Sequence, residues 1–120
     1  MAGPLLFAYG TLRDARQRAR VLRGAPSREV GSGSAPGALY DLGEYPGMVA
    51  GAPDDRVPGT VIELADDAGL LLLDEYEDIG NGLYVRVRTT VRLDDGRNIE
   101  SWVYLYNRPV EAGRRIPSWP

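Results

Sequence analysis

The alternation of apolar and polar side chains is most regular near the end of the chain, where it predicts a long antiparallel β-hairpin. From Leu83 to Leu93, leucine, valine and threonine alternate with tyrosine, arginine and threonine, which is the period of a half-buried strand. The stretch Asp94–Arg97 predicts a turn because it is short, acidic and contains a glycine. Asn98–Tyr106 then returns as the second strand of the hairpin.

Shorter apolar runs predict further strands. Leu5–Tyr9 is a continuous apolar run closed by a glycine, which is typical of a buried strand, and Val57–Leu64 is a further strand candidate. Between them, Ala25–Pro58 is rich in glycine, proline and serine and indicates irregular β structure with exposed loops. Within that region, residues 38–40 and 48–50 are spaced like short strands between turns.

Two helices are predicted on either side of this β-rich region. Asp14–Arg23 begins with a residue suited to a helix N-terminus, carries alanine and leucine at helical spacing, and is followed by Gly24. Asp66–Glu77 begins with two aspartates at the positive end of the helix dipole. The glycine-rich stretch Gly80–Gly82 is the predicted end of this second helix.

The order of these elements predicts one small α+β domain spanning residues 1–120, in which the strands curl into a mixed β-barrel flanked by helices. A chain of 120 residues has enough apolar side chains for one core and too few for two. Prolines at 109, 117 and 120 indicate that the end of the chain is an extended or looped tail. The mouth of such a barrel is a common site for a small ligand.

The charge and hydropathy of the chain argue against nucleic-acid and membrane partners. The formal net charge is −3 and the pI is near 4.9, so the field of the whole protein repels a polyanion. The one local basic cluster, at positions 13, 16, 18, 20 and 23, spreads around a helix and is interpreted as a solvated face. No apolar run is long enough to cross a bilayer, and the first residues do not resemble a signal peptide. We therefore expect a cytoplasmic protein.

The composition also excludes several kinds of catalytic site. The chain contains no cysteine and no histidine, and all 14 of its basic residues are arginines. These absences exclude thiol nucleophiles, Ser-His-Asp triads, histidine-based metal sites and lysine Schiff bases. If the protein catalyses proton transfer near neutral pH, the proton carrier must be a carboxylate, a tyrosine, a chain terminus or the substrate itself.

Glu77 is the carboxylate whose position suggests catalysis. Leu70, Leu73 and Glu77 are separated by steps of three and four residues, so they share one face of the second helix. A carboxylate held against apolar surroundings is desolvated, which raises its pKa toward neutrality and suits it to act as a base. The alternative interpretation is that Glu77 frays into solvent at the end of the helix.

The end of the first strand, Tyr9-Gly10-Thr11-Leu12, also has two interpretations. A glycine after a strand is commonly part of a plain turn. In the functional interpretation, Gly10 lets a ligand approach the main chain, and the N–H groups of this loop receive a carboxylate or an oxyanion. The tyrosines of the chain are likewise candidates for either core or pocket wall, namely Tyr40, Tyr45, Tyr84, Tyr104 and Tyr106.

Five short motifs occur in order through nearly the whole chain: Tyr-Gly-Thr-Leu at 9–12, Tyr-Pro-Gly at 45–47, Leu-Asp-Glu-Tyr-Glu at 73–77, Leu-Tyr-Val-Arg at 83–86 and Trp-Val-Tyr-Leu-Tyr-Asn-Arg-Pro-Val at 102–110. Together they resemble the gamma-glutamylcyclotransferase-like family. The resemblance implies a compact β-barrel with its active site at the barrel mouth. It also implies a reaction in which the alpha-amino group of a gamma-glutamyl amide attacks the side-chain carbonyl, releasing an amine and 5-oxoproline.

The resemblance assigns roles to particular residues. The family's catalytic glutamate, a general acid and base, corresponds to Glu77, and its substrate-binding loop corresponds to Tyr9, Gly10, Thr11 and Leu12. Tyr84 and Tyr104 complete the expected substrate pocket. The expected partner is a small gamma-glutamyl compound, and the chemistry requires no cofactor and no metal. This chain departs from the family where members often end in a Gly-Asp-Trp-like segment, because it ends in Pro117-Ser118-Trp119-Pro120; Trp119 is the candidate for the aromatic position.

Two other functions are compatible with the same fold. A non-catalytic barrel would bind gamma-glutamyl compounds without forming product, and a related transferase or hydrolase would release free glutamate instead of 5-oxoproline. The motifs also leave open several leaving amines: an amino acid, a cysteinyl peptide, the side-chain amine of a lysine or a special metabolite. The sequence makes no prediction of oligomeric state.

Overall fold

The computed structural model describes residues 3–120 and contains eight strands, two α-helices and three short 3₁₀ helices. The strands are β1 (Leu5–Ala8), β2 (Ser27–Pro36), β3 (Ala38–Asp41), β4 (Pro46–Val49), β5 (Arg56–Leu64), β6 (Tyr84–Leu93), β7 (Asn98–Tyr106) and β8 (Arg115–Ile116). The helices are α1 (Ala15–Val21) and α2 (Asp67–Tyr76), and the 3₁₀ helices are Thr11–Arg13, Ile79–Asn81 and Ala112–Arg114.

Five of the strands form a closed barrel in the order β1-β5-β2-β6-β7, and β4, β3 and β8 form a small separate sheet. The barrel closes through a parallel contact between β7 and β1, at Leu6 opposite Trp102. The two helices lie against the outside of the barrel and share one hydrophobic cluster with it. The predicted α+β barrel flanked by helices is therefore confirmed. None of the helices in residues 3–120 is long and apolar enough to cross a membrane.

The continuous apolar character of β1 follows from its burial on both faces. Phe7 points into the barrel, where it belongs to the core cluster that contains Val61 and Val103. Leu6 and Ala8, which alternate with Phe7, belong instead to the cluster between the barrel wall and the helices. Because both faces of β1 are covered by apolar groups, the strand shows no alternation of polar and apolar residues.

The helices begin where the sequence predicts, and the second one ends within one residue of the predicted Glu77. Asp14 caps α1, because its carboxylate accepts hydrogen bonds from the backbone N–H groups of residues 16 and 17 at 2.8 and 3.3 Å. Asp66 caps α2 in the same way through Ala68. The predicted helix Asp66–Glu77 agrees with α2, which ends at Tyr76 with Glu77 as its C-cap. The turn after the helix begins before the predicted terminator Gly80–Gly82, because Asp78 takes the left-handed conformation, with φ 57°, that commonly follows a helix.

The glycine-rich region before β3 is more regular than its composition indicates. Instead of irregular β structure, Ser27–Pro36 forms the ten-residue strand β2, which pairs with β5 along its length and with β6 at Gly33 and Ser34. A Cβ at Gly33 would meet the carbonyl oxygen of Arg92 and lie 2.9 Å from the Cα of Leu93. The glycine is therefore needed because the backbones of β2 and β6 approach each other closely where these two strands pair.

The tail after the hairpin is also partly ordered into the sheet. It includes the predicted extended backbone, but two of its residues form β8, which pairs antiparallel with β3 at Ile116 opposite Leu39. This pairing fixes the end of the chain beside the barrel. Trp119 consequently packs against the cluster that fills the barrel.

Substituting Gly33 with alanine tests the close approach of β2 and β6. We expect Gly33→Ala to lower the free energy of unfolding by about 2 kcal/mol or more, because the added methyl group overlaps the backbone of β6. The matched control is Gly31→Ala on the same strand, where a Cβ would make an ordinary contact of 3.7 Å with Leu93. Urea unfolding measures the free energy of unfolding of both variants. Equal stability would contradict the close β2–β6 contact at Gly33.

Candidate active site

A pocket opens at the end of the barrel where β1 ends and β6 begins, and it extends between the barrel wall and the end of α2. Its volume is about 260 Å³, which suits a small ligand. All of the predicted site residues line this one pocket, namely Tyr9, Gly10, Thr11, Leu12, Glu77, Tyr84 and Tyr104. The barrel itself does not hold the ligand site, because its interior is filled by apolar side chains such as Phe7 and Val61.

Glu77 is the only carboxyl group among the described residues that line this pocket. It follows the last turn of α2, where its backbone N–H donates to the carbonyl oxygen of Leu73 at 2.8 Å. Leu70 and Leu73, on the same face of the helix, are buried. Burial raises the pKa of Glu77 to about 7. At neutral pH the carboxyl group can therefore both accept and return a proton.

The turn that follows α2 directs Glu77 toward the pocket. Asp78, in the left-handed conformation, accepts a hydrogen bond from Asn81 Nδ2 at 2.7 Å through its side chain and one from the Leu83 N–H at 3.2 Å through its carbonyl oxygen. Leu83 itself lines the pocket, just before β6. The end of α2 is thus connected to β6 by defined hydrogen bonds, so Glu77 does not fray into solvent.

Three buried tyrosines form the wall around Glu77, and each hydroxyl group already has an acceptor. Tyr9 donates to the carbonyl oxygen of Tyr104 at 2.6 Å and accepts from the N–H of Met48 at 3.3 Å. Tyr84 donates to the carbonyl oxygen of Pro46 at 2.7 Å. Burial raises the pKa of all three hydroxyl groups above their usual range, and the charge of Glu77 adds to the effect. All three tyrosines remain protonated and do not act as bases. Tyr9 and Tyr84 hold β4 against the barrel, and Tyr104 bonds Asp74 on α2.

The second carboxylate on this side of α2 is fully occupied. Asp74 accepts hydrogen bonds from Arg86 at 2.8 and 3.1 Å and from the hydroxyl group of Tyr104 at 2.7 Å. Arg86 in turn lies over the ring of Trp102, with 4.4 Å to the ring centroid. Asp74 therefore positions Tyr104, and its ion pair makes it a poor candidate for a base.

The loop at the end of β1 forms the opposite wall of the pocket. No side chain caps the 3₁₀ helix Thr11–Arg13, so the N–H groups at its start are suited to receive an anion. A Cβ at Gly10 would lie 2.7 Å from the ring of Pro46, which explains the need for glycine there. The hydroxyl groups of Thr11 and Tyr76 lie 3.3 Å apart and connect the loop to α2 across the pocket.

Arg18 corrects the interpretation of the arginine cluster as a solvated face. Its side chain is 5% exposed, and its Nη1 donates to the carbonyl oxygens of Leu12 and Arg13 at 3.0 and 3.3 Å. Its Nε donates to the hydroxyl group of Ser27 at 2.9 Å. Arg18 therefore connects the pocket loop to α1 and β2. Its position four residues before Leu22, on the apolar stripe of α1, was the available sequence signal.

Other pocket residues were not assigned to the site from the sequence. Tyr45, Pro46, Tyr76 and Leu83 also line the pocket. All four lie in motifs that carry the family resemblance, and Tyr45 was also a candidate for either core or pocket wall, so a sequence signal was present at each position. Tyr106 supports the wall from behind, because its ring packs edge-on against Tyr84 with 5.4 Å between centroids.

Comparisons with known proteins agree with the fold and with the family resemblance of the sequence motifs. The family model described as gamma-glutamyl cyclotransferase, AIG2-like, matches residues 6–119. The chain is 32% identical to the gamma-L-glutamyl-butirosin B gamma-glutamyl cyclotransferase of Niallia circulans over 97% of this chain and 75% of that protein. It is 33% identical to the gamma-glutamylcyclotransferase family protein YtfP of Escherichia coli K12, over 94% of this chain and 91% of that protein.

Comparison with a solved structure supports the same fold. An AIG2-like protein of Mus musculus superposes with a TM-score of 0.79 over 100% of this chain and 90% of that chain, at 21% sequence identity. At this level of identity the superposition supports the fold and carries no information about substrate. The barrel and its two flanking helices are accordingly a shared architecture.

Replacing Glu77 with glutamine should stabilise the protein at high pH. The pKa of Glu77 is raised on folding from 4.5 to about 7, so the folded protein loses stability as the pH rises between these two values. We therefore expect Glu77→Gln to be more stable than wild type by roughly 3 kcal/mol at pH 8, with a much smaller difference below pH 5. Urea unfolding at the two pH values measures this effect. The exposed Glu75→Gln is the control, and a Glu77→Gln variant without added stability at pH 8 would contradict the desolvation of Glu77.

Replacing Arg18 should destabilise the pocket loop. Arg18→Met leaves buried carbonyl and hydroxyl oxygens without donors, which we expect to lower the free energy of unfolding by about 2–4 kcal/mol. Arg20→Met is the matched control, because Arg20 is exposed on the same helix and its side chain bonds only Gln17, at 3.4 Å, among residues 3–120. Chemical denaturation compares the two variants. If both variants lost the same free energy of unfolding, the buried hydrogen bonds of Arg18 would not stabilise the fold.

Proposed function

The chain belongs to the gamma-glutamyl cyclotransferase, AIG2-like family, and we propose that it releases an amine from a gamma-glutamyl amide by an internal cyclisation in which Glu77 transfers the proton. The observation that carries this proposal is the isolated carboxyl group of Glu77 in a pocket whose other ionisable groups are tyrosines. Its pKa of about 7 matches the pH at which the protein would work.

The reaction needs one base that can also act as an acid. The alpha-ammonium group of the substrate cannot attack until it loses a proton, and the Glu77 carboxylate accepts that proton. The free amine then attacks the side-chain carbonyl carbon and forms the ring C–N bond. Glu77 returns its proton to the leaving nitrogen as the amide C–N bond breaks. The ring nitrogen still carries one extra proton after the attack, and the Glu77 carboxylate takes this proton and passes it to the released amine. Two protons therefore pass in turn from the attacking nitrogen to the leaving nitrogen, and Glu77 ends as the carboxylate it was at the start.

The two other requirements are a fixed conformer and a partner for the developing oxyanion. Ring closure gains effective concentration because nucleophile and electrophile belong to one molecule, provided that the pocket holds the correct rotamer. The walls built by Tyr84, Tyr104 and Leu83 would restrict the glutamyl chain. The main chain of Gly10, Thr11 and Leu12 would bind the glutamyl end and stabilise negative charge on the carbonyl oxygen. These binding roles are supported by their position around Glu77.

The rigidity of the pocket wall supports the same mechanism. The hydroxyl groups of Tyr9 and Tyr84 bond main-chain atoms of the barrel and of β4, and therefore do not reorient when substrate enters. A wall fixed in advance avoids reorganisation during the reaction. Neither a cofactor nor a metal is needed for these steps, and the expected partner remains a small gamma-glutamyl compound. A cytoplasmic location stays a prediction.

The product of the reaction tests the proposal. Purified protein is incubated with gamma-glutamyl dipeptides, gamma-glutamyl-epsilon-lysine and glutathione, and 5-oxoproline is quantified by mass spectrometry. We expect wild type to form 5-oxoproline from at least one compound, and Glu77→Gln to lose roughly 10²- to 10⁴-fold in rate, as for loss of a general acid and base. The control Glu75→Gln should retain its rate.

Other outcomes would identify a different function. Free glutamate instead of 5-oxoproline would indicate hydrolysis, and saturable binding without product would indicate a non-catalytic barrel. A folded Glu77→Gln variant with an undiminished rate would remove Glu77 from the mechanism.

The pH dependence of the wild-type enzyme provides a separate test. The carboxylate form of Glu77 must be present for proton abstraction, so kcat/KM should rise with pH and level off above the pKa of about 7. Initial rates of 5-oxoproline formation between pH 5 and pH 8 give the midpoint. An acidic limb centred near 4.5, the ordinary value for glutamate, would show that the raised pKa is absent in the working enzyme.

A further inference from the structure

The segment just after β7 contains the part of the 102–110 motif that the pocket itself does not use. Asn107 and Arg108 follow the last residue of the strand, are exposed, and do not line the Glu77 pocket. Both side chains instead reach the turn that follows α2. Arg108 donates from Nη1 to the carbonyl oxygen of Gly82 at 3.0 Å and from Nη2 to that of Asn81 at 3.2 Å.

We propose that Arg108 is a positioning residue for the reaction, and that it keeps the Glu77 carboxyl group in the pocket by holding the turn formed by residues 78–82. We call these five residues the Glu77 turn. The inference rests on the proposed function, because it takes Glu77 as the general acid and base. Arg108 lies outside the pocket lining, so it acts through the turn and does not touch the substrate.

The Glu77 turn needs partners because its conformation is unfavourable. Asp78 and Gly82 are both left-handed, with φ 57° and 74°, and this conformation is costly for a residue with a Cβ such as Asp78. Within the turn, Asn81 holds Asp78 twice: its Nδ2 donates to the Asp78 carboxylate at 2.7 Å, and its N–H donates to the Asp78 carbonyl oxygen at 3.2 Å. Arg108 in turn binds the carbonyl oxygen of Asn81. Arg108 therefore stabilises the residue that directly follows Glu77 through one intermediate.

Asn107 anchors the same turn to the barrel. Its Nδ2 donates to the carbonyl oxygen of Gly82 at 3.1 Å, and its N–H donates to the carbonyl oxygen of Leu83 at 2.9 Å. The Gly82 carbonyl oxygen thus accepts from both Asn107 and Arg108. Because these two residues directly follow β7, a strand of the closed barrel, the bonds fix the Glu77 turn against the rigid part of the fold.

The raised pKa of Glu77 reports the position of the turn, because burial is its cause. The other ionisable groups that line the pocket in the described part of the chain are tyrosines from β1, α2, β6, β7 and the segment before β4, namely Tyr9, Tyr76, Tyr84, Tyr104 and Tyr45. Behind this wall, Tyr104 bonds Asp74, which is paired with Arg86. A displaced turn would let water reach the Glu77 carboxyl group, and its pKa would fall from about 7 toward 4.5.

The test compares Arg108→Met with Arg114→Met in the assay for 5-oxoproline. Arg114 is a matched control because it is also exposed and also donates to a main-chain carbonyl oxygen, that of Asp41 at 2.7 Å, but it does not bond the Glu77 turn. We expect Arg108→Met to lower kcat by about tenfold or more with a smaller change in KM, because the proton-transferring group is displaced while the pocket walls remain. The acidic limb of kcat/KM should move to lower pH. Arg114→Met should keep the wild-type kcat and pH profile.

Two further variants separate positioning from a general loss of structure. Arg108→Lys keeps a charged donor within reach of the same carbonyl oxygens, so it should recover most of the kcat that Arg108→Met loses. Asn107→Ala removes the second donor to Gly82, so it should lower kcat and shift the pH profile in the same direction as Arg108→Met.

A measurement that needs no turnover separates this inference from the proposed function. The Glu77 carboxyl group is titrated by ¹³C NMR in wild type, Arg108→Met and Arg114→Met, and we expect a lowered pKa in Arg108→Met alone. An unchanged kcat together with an unchanged Glu77 pKa in Arg108→Met would overturn the role of Arg108 and leave the cyclisation intact. A lowered Glu77 pKa in that variant, with no 5-oxoproline from wild type, would overturn the proposed function and leave the placement of Glu77 by Arg108 standing.

Discussion

The structure of the site depends on one unfavourable arrangement, a carboxyl group placed in a pocket that, in the described part of the chain, is lined by no cationic side chain. In water a carboxylate is strongly solvated, and the loss of that solvation raises the pKa of Glu77 to about 7. A nearby arginine would remove the effect. The contrast with Asp74, three residues earlier on α2, is direct: Asp74 is paired with Arg86 at 2.8 Å and shows no comparable isolation. One helix thus presents two carboxylates with different chemical environments to the same wall of the barrel.

The remaining polar groups around Glu77 are arranged so that none of them relieves this isolation. The hydroxyl groups of Tyr9, Tyr84 and Tyr104 all donate to other acceptors, two of them main-chain carbonyl oxygens. These bonds also join β1, β4 and β7 around the pocket, so the same contacts that stabilise the fold keep the site preorganised. Arg18 has the corresponding role on the other side, because it holds the carbonyl oxygens of the pocket loop from beneath.

Elements with a regular apolar–polar period could be predicted from the sequence. Elements that depend on contacts between segments far apart in the chain could not. The β6–β7 hairpin alternates with period two, and the stripe of Leu70, Leu73 and Glu77 places the glutamate in the pocket. The strand β2 was missed because glycines disfavour strands locally, although one of them, Gly33, is required where β2 and β6 approach each other. The turn after α2 begins at Asp78 and not at the predicted Gly80–Gly82, because Asp78 adopts a conformation that is more typical of glycine.

The most direct measurement is the titration of the Glu77 carboxyl group itself. Wild-type protein carrying ¹³C at the side-chain carboxyl positions of glutamate is titrated by NMR, and the Glu77 signal is assigned by its absence in Glu77→Gln. The account predicts that this one resonance titrates with a pKa of about 7. A midpoint near 4.5, the ordinary glutamate value, would contradict it, because the carboxyl group would then be solvated and would lack the basicity that the proposed reaction requires.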